Sequence, residues 1–196
     1  MTADDSMEVQ HSLKKQVMTL GLLVAVFWSV EIVDAITPWS LDVYGIRPRS
    51  IAGLWGILAA PFLHGGFDHL AANTVPFLVL GWLTMVREWW HFVFVTVLAT
   101  VVGGFGVWLV GASNSVHVGA SGVIFGYLGF LLLSGVFERR LGPILVSIVV
   151  GLVYGGLVFG VLPSQPGVSW EGHLFGFVAG ILAAYWVARR SRGTTG

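Results

Sequence analysis

The sequence predicts an all-α fold, a polytopic membrane bundle of six transmembrane helices, and three observations predict it. Hydrophobic residues make up 56% of the 196 residues and charged ones only 10%, against roughly 25% charged in an average soluble domain. The apolar residues gather in six stretches, each close to the ~20 residues that a helix needs to cross a hydrocarbon core. Runs such as Ile144-Leu145-Val146-Ser147-Ile148-Val149-Val150 are nearly continuously apolar, whereas a membrane β-barrel alternates apolar with polar residues over segments of ~10.

In chain order the spans are expected near 16–36, 69–86, 92–110, 119–137, 143–161 and 172–188. The first follows Lys14 and Lys15 as a signal peptide would, but its apolar run is longer than the usual ~7–15 residues and no small-residue cleavage site follows, so it reads as an uncleaved anchor. The second opens on His69 and Asn73, which are four residues apart and share a helix face. The third and fifth carry almost no ionisable side chain. The fourth opens on Gly119-Ala120-Ser121-Gly122; Ser121, Phe125 and Gly129 form one stripe, with Gly122 and Gly126 beside it. The sixth opens on Gly172-His173, with Gly176 and Gly180 on the same face below the histidine. Glycine-lined faces let membrane helices approach backbone to backbone, so a fourth and sixth span packed through these glycines would bring Ser121 and His173 together. The domain organisation follows: a short N-terminal tail (1–15), one six-helix membrane domain (16–188) and a short C-terminal tail (189–196).

Charge orients the bundle. Lys14, Lys15, Arg87, Arg139, Arg140, Arg189, Arg190 and Arg192 share one side if every span crosses, leaving Arg47 and Arg49 opposite. By the positive-inside rule the rich side is cytoplasmic. Both termini are then inside, and the second, fourth and sixth spans all start at the outer face of the plasma membrane. His69, Ser121 and His173 therefore share one depth and one side. A formal net charge of zero gives no footprint for nucleic acid, and the absence of cysteine removes disulfides, thiolate nucleophiles and cysteine-ligated metals. No cofactor or metal is called for, and nothing sets an oligomeric state.

Each candidate also has a plain structural use. A serine commonly bonds back to a carbonyl of the preceding turn, a histidine near a helix start can face interfacial water, and an asparagine can bridge helices. Gly119-Ala120-Ser121-Gly122 is also not the Gly-x-Ser-x-Gly elbow of soluble hydrolases, because Val123 stands where the second glycine would be. The joint placement carries the inference: a hydroxyl nucleophile beside an imidazole is acyl-transfer chemistry.

With these residues in view, the chain resembles the rhomboid intramembrane serine proteases of the bacterial six-helix type. The resemblance covers nearly all of 16–188. It rests on Gly119-Ala120-Ser121-Gly122, on Gly172-His173 with Gly176 and Gly180, and on His64, His69 and Asn73 in the run from Pro61 to Asn73. It implies Ser121 as nucleophile, His173 as general base, and an oxyanion hole made by the His69 and Asn73 side chains with the Ser121 backbone N–H. It gives His64 a supporting role in the long first loop, and its substrates would be transmembrane proteins in the lipid bilayer, cut at small residues. Two positions depart from the family. Trp55-Gly56 stands where Trp-Arg is common, with Arg47 and Arg49 as candidate replacements for the bracing arginine, and Phe125 replaces a frequent tyrosine, keeping the ring under the base and losing the hydroxyl.

No carboxylate is placed to complete a triad: Glu171 lies two residues before His173 and Asp68 faces elsewhere, so a Ser-His dyad is expected, its ring held against Phe125. The polar segment 113–117 is the candidate for a wet cavity and the loop 163–170 for a mobile gate. A zinc protease would need His-Glu-x-x-His, which is absent, and an aspartyl protease would need mid-membrane aspartates, whereas all five lie at ends or loops. A small transporter that relays protons through its histidines and a catalytically silent rhomboid-like binder of transmembrane helices are the alternatives. The first shows no inverted repeat, and the second would not need both dyad positions intact.

Overall fold

The computed structural model describes residues 3–163 and 167–193. Among them the chain is helix and turn, apart from one isolated antiparallel bridge between Ile46 and His117. Six helices are long and apolar enough to cross a membrane: Gln10–Ile36, Phe67–Arg87, Trp89–Val110, Ser121–Glu138, Leu141–Val161 and Trp170–Arg192. Each falls on its expected stretch, the fourth starting two residues late.

The boundaries shift where hydropathy is a poor guide to backbone hydrogen bonding. The first helix starts at Ala3 rather than after a polar tail, and the last continues to Gly193, because a helix that has left the apolar layer still satisfies its own backbone. The fourth helix starts at Ser121 and not at Gly119, whose φ of +117° lies outside helical space. A π-helical turn, Ala99–Gly103, interrupts the third span, and the fifth tightens into a 3-10 helix over Gly155–Val161. Of the loop expected as a gate, residues 164–166 lie outside the described residues.

The fourth span is the axis of the bundle. Every side chain from Val123 to Leu131 is buried, and Tyr127 is sealed by stacking on Phe92 and by a 2.6 Å hydrogen bond to Thr96. The fifth span lies outermost, with Val150 alone buried among its α-helical residues. The first packs on the second through Leu20 and Phe27, and Trp28 and Trp82 donate across that contact to Thr74 (3.2 Å) and Gln16 (3.1 Å).

The fourth and sixth spans touch through their glycines. A Cβ on Gly176 would stand 2.1 Å from the Gly122 carbonyl oxygen, and one on Gly180 2.0 Å from the Gly126 oxygen and 2.8 Å from the Phe130 nitrogen. These neighbours are backbone and cannot rotate away. Gly180→Ala should therefore force the two helices apart and cost about 1–3 kcal/mol, as overpacking does, read as a lower melting temperature in detergent; an unchanged melt would show that this contact is looser than described.

The first loop folds back as short helical turns, Leu41–Tyr44 and then Ala52–Phe62. Arg49 braces it: its guanidinium donates to the carbonyls of Leu109 (2.8 Å) and Gly111 (2.7 Å) and to the Ser113 hydroxyl (2.6 Å), at a helix C-terminus where a cation is favoured. Gly56 cannot carry that arginine, since its Cβ would fall 2.2 Å from the Gly45 carbonyl oxygen. Of the two candidate replacements, Arg49 makes the bracing bonds.

Candidate active site

Ser121 is the first residue of its helix, so its backbone N–H belongs to the turn that has no intrahelical acceptor and points at incoming negative charge. The sharp backbone before it depends on Gly119, whose φ of +117° disfavours any side chain. A Cβ there would also strike the His69 ring, 2.8 Å from Cε1 and 2.9 Å from Nε2, and would lie 3.8 Å from Ser121 Oγ. His69 Nε2 and Ser121 Oγ thus border the same small space. The Gly119 N–H donates to the Ala60 carbonyl (2.8 Å), which pins the turn to the first loop.

The tautomers of the two histidines follow from their partners. The Gly65 backbone N–H, which can only donate, lies 3.3 Å from His69 Nδ1. Nδ1 is therefore the acceptor, and the proton of the neutral ring sits on Nε2, the nitrogen beside Ser121 and Gly119. At His173 the arrangement is reversed. Nδ1 is 2.9 Å from the Gly160 carbonyl oxygen, which can only accept, so Nδ1 carries the proton and Nε2 keeps its lone pair. One imidazole thus presents an N–H at Nε2 and the other a lone pair.

The His173 ring is buried and lies flat on Phe125, with centroids 4.1 Å apart and planes 4° from parallel. Phe125 is one turn below Ser121 on the same stripe, so the stack holds the His173 ring on the face that carries the hydroxyl. Gly160 is needed for this approach, since a Cβ would come 2.9 Å from the Phe125 ring and 3.2 Å from His173 Nδ1. The partner of Nδ1 is a main-chain carbonyl, not Glu171 or any other carboxylate; sequence reading missed it because a carbonyl has no residue-type signature.

Asn73 is buried, and its amide donates to the His69 carbonyl of its own helix (3.0 Å) rather than to a neighbouring helix, with a second N–H to give. His64 is fully buried between Phe27 and His69, with ring centroids at 5.6 and 5.3 Å. Burial, with His69 adding to it, pushes its pKa down to about 4, so the ring is neutral; its Nε2 lies 3.5 Å from the Ala120 backbone nitrogen, the outer limit of a hydrogen bond. Gly122, Gly176 and Gly180 line the contact between the fourth and sixth spans, and Gly122 also borders the cavity beside Ser121.

Beside Ser121 is a cavity of about 40 Å3, bordered by Gly119, Gly122, His117 and Ser169. At roughly 10–15 Å3 per water centre it has room for a few waters. Among the described residues no group of three or more histidines, aspartates and glutamates could hold a metal.

A family model described as "Rhomboid domain" matches residues 52–190. An uncharacterized protein of Mycobacterium tuberculosis is 44% identical over 182 residues, which cover 89% of this chain and 76% of that one. One of Mycobacterium leprae is 42% identical over 185 residues, with 90% and 73% covered. The rhomboid protease GluP of Bacillus subtilis is 30% identical over 178 residues, which are 84% of this chain and 33% of that longer protein.

Proposed function

The chain belongs to the rhomboid family, and from that premise we propose that it is an intramembrane serine endopeptidase working through a Ser121–His173 dyad. The observation that supports this reading best is the opposite tautomers of the two histidines: a lone pair on His173 Nε2, with Nδ1 tied to Gly160, and a donor N–H on His69 beside the serine.

His173 Nε2 takes the Ser121 hydroxyl proton as Oγ attacks the scissile carbonyl carbon. The carbonyl oxygen, now an oxyanion, is met by the Ser121 backbone N–H, His69 Nε2–H and the free N–H of Asn73, each donor worth about 3–4 kcal/mol in a dry site. The imidazolium, stabilised by the Gly160 carbonyl and fixed by Phe125, gives its proton to the leaving amine nitrogen as the C–N bond breaks. Water from the neighbouring cavity then gives a proton to Nε2 as its oxygen attacks the acyl ester, and Nε2 returns that proton to Oγ as the C–Oγ bond breaks, releasing the acid and restoring Ser121.

The substrates are transmembrane proteins, cut where the helix unwinds enough to expose a carbonyl, which glycine or proline near the cut favours. In this reading the site faces outward from the plasma membrane and both termini are cytoplasmic, which the eight cations at the opposite end support.

A fluorophosphonate probe on the purified protein tests the reading: label should appear on the peptide containing Ser121, and label elsewhere or none would overturn it. The labelling rate should also rise as pH climbs through the region where an imidazole loses its proton, about 6.5 in water, because only neutral His173 can accept from the hydroxyl. A flat profile from pH 5 to 8 would exclude a histidine base.

A further inference from the structure

His117 and Ser169 stand four positions before Ser121 and four before His173, the first in the bridge to Ile46 and the second at the start of the sixth helix. His117 Nδ1 and Ser169 Oγ are 2.7 Å apart. Ser169 starts the sixth helix: its hydroxyl accepts from the Gly172 N–H (3.3 Å) and its carbonyl from the His173 N–H (3.2 Å). On the other side His117 is held by its backbone, exchanging hydrogen bonds with Ile46 of the first loop at 2.9 and 3.0 Å. One side-chain bond therefore joins the starts of the two helices that carry nucleophile and base, at the edge of the cavity beside Ser121.

The protons along this path have one consistent order. Ser115 Oγ lies 2.6 Å from the Ala112 carbonyl and must donate to it, so it accepts from His117 Nε2–H at 2.7 Å. With its proton on Nε2, His117 accepts at Nδ1 from the Ser169 hydroxyl, which in turn accepts from Gly172. Every donor has an acceptor only while His117 is neutral. Burial keeps its pKa below the ordinary value, against a smaller upward pull from Glu171.

We infer that His117 and Ser169 are a positioning pair that sets the spacing of Ser121 and His173 by tying the start of the sixth helix to the turn before the fourth. The inference rests on the protease reading. Its force is geometric, since a base displaced by ~1 Å can cost up to ~100-fold in rate, whereas substrate contacts need not change.

The test is the kcat and KM of Ser169→Ala, His117→Asn and His117→Gln on one transmembrane substrate, with the fluorophosphonate labelling rate. Ser169→Ala should lower kcat about tenfold with KM within about twofold, as expected for lost alignment. In His117→Asn the amide oxygen can stand where Nδ1 accepted, so kcat should stay within about threefold of wild type. In His117→Gln the amide reaches the Nε2 position, keeps the Ser115 bond and loses Ser169, so kcat should fall as in Ser169→Ala, and the Ser169→Ala/His117→Gln double variant should be no worse than either single one. A role in anchoring the loop alone predicts the reverse order, with glutamine the better replacement.

A readout independent of turnover comes from 15N NMR of histidine-labelled wild type, where His117 Nδ1 should be unprotonated and shift in Ser169→Ala. Protonated Nδ1 at pH 7.5, or unchanged kcat in Ser169→Ala, overturns the pair. A wild-type chain that neither cleaves nor labels overturns the protease reading and takes this inference with it, an outcome distinct from active wild type with indifferent variants.

Discussion

Ser121→Ala is expected to abolish cleavage, by at least about 10^4-fold in kcat, while the protein stays folded and membrane-inserted. The hydroxyl sits half-buried at a helix start beside a cavity rather than within the packed core, so replacing it by a methyl group leaves the helix contacts intact and should shift stability by no more than ~0.5 kcal/mol. His173→Ala should remove turnover to the same extent. It also loses the stack on Phe125 and the bond to Gly160, so its activity is to be expressed per folded molecule. The double variant should be no slower than either single one, because nucleophile and base act as one unit. Turnover of Ser121→Ala within tenfold of wild type would end the proposal.

The second large effect is expected at Asn73. Loss of a well-aligned oxyanion donor costs up to ~1000-fold in kcat, and Asn73→Ala should fall by about 10–1000-fold with little change in melting temperature. The competing use, tying helices together, is worth only ~0.6 kcal/mol per bond within a membrane and would appear as a lowered melt with turnover intact. The Asn73 amide donates to the His69 carbonyl of its own helix, which leaves a second N–H for either use. Measuring kcat and melting on the same preparation decides, and unchanged kcat would strike Asn73 from the oxyanion donors.

The six spans were legible because ~20 apolar residues in a row have few other uses, and because glycines at Gly122, Gly126, Gly176 and Gly180 mark a contact that larger residues cannot make. That His69, Ser121 and His173 stand at the starts of alternate spans, and so at one end of the bundle, followed from the order of the spans. Less was visible at Gly160, thirteen positions from His173, which reaches it only because the fifth span tightens into a 3-10 turn. Arg47 and Arg49 were indistinguishable as sequence; what separates them is three acceptors, at Leu109, Gly111 and Ser113, that the end of the third span presents to one of them.

By itself, then, the sequence determined the helices, which faces meet and which side chains are candidates for the chemistry, since periodicity, hydropathy and residue type are properties of a linear chain. Only the tertiary structure decided which nitrogen of each imidazole carries the proton. His69 and His173 are identical as letters, and the main-chain groups at Nδ1 leave them in opposite tautomers: an N–H from Gly65 puts the proton of one ring on Nε2, and a carbonyl from Gly160 leaves the lone pair of the other there. Every residue carries those main-chain groups, so no pattern of side chains can announce where they converge.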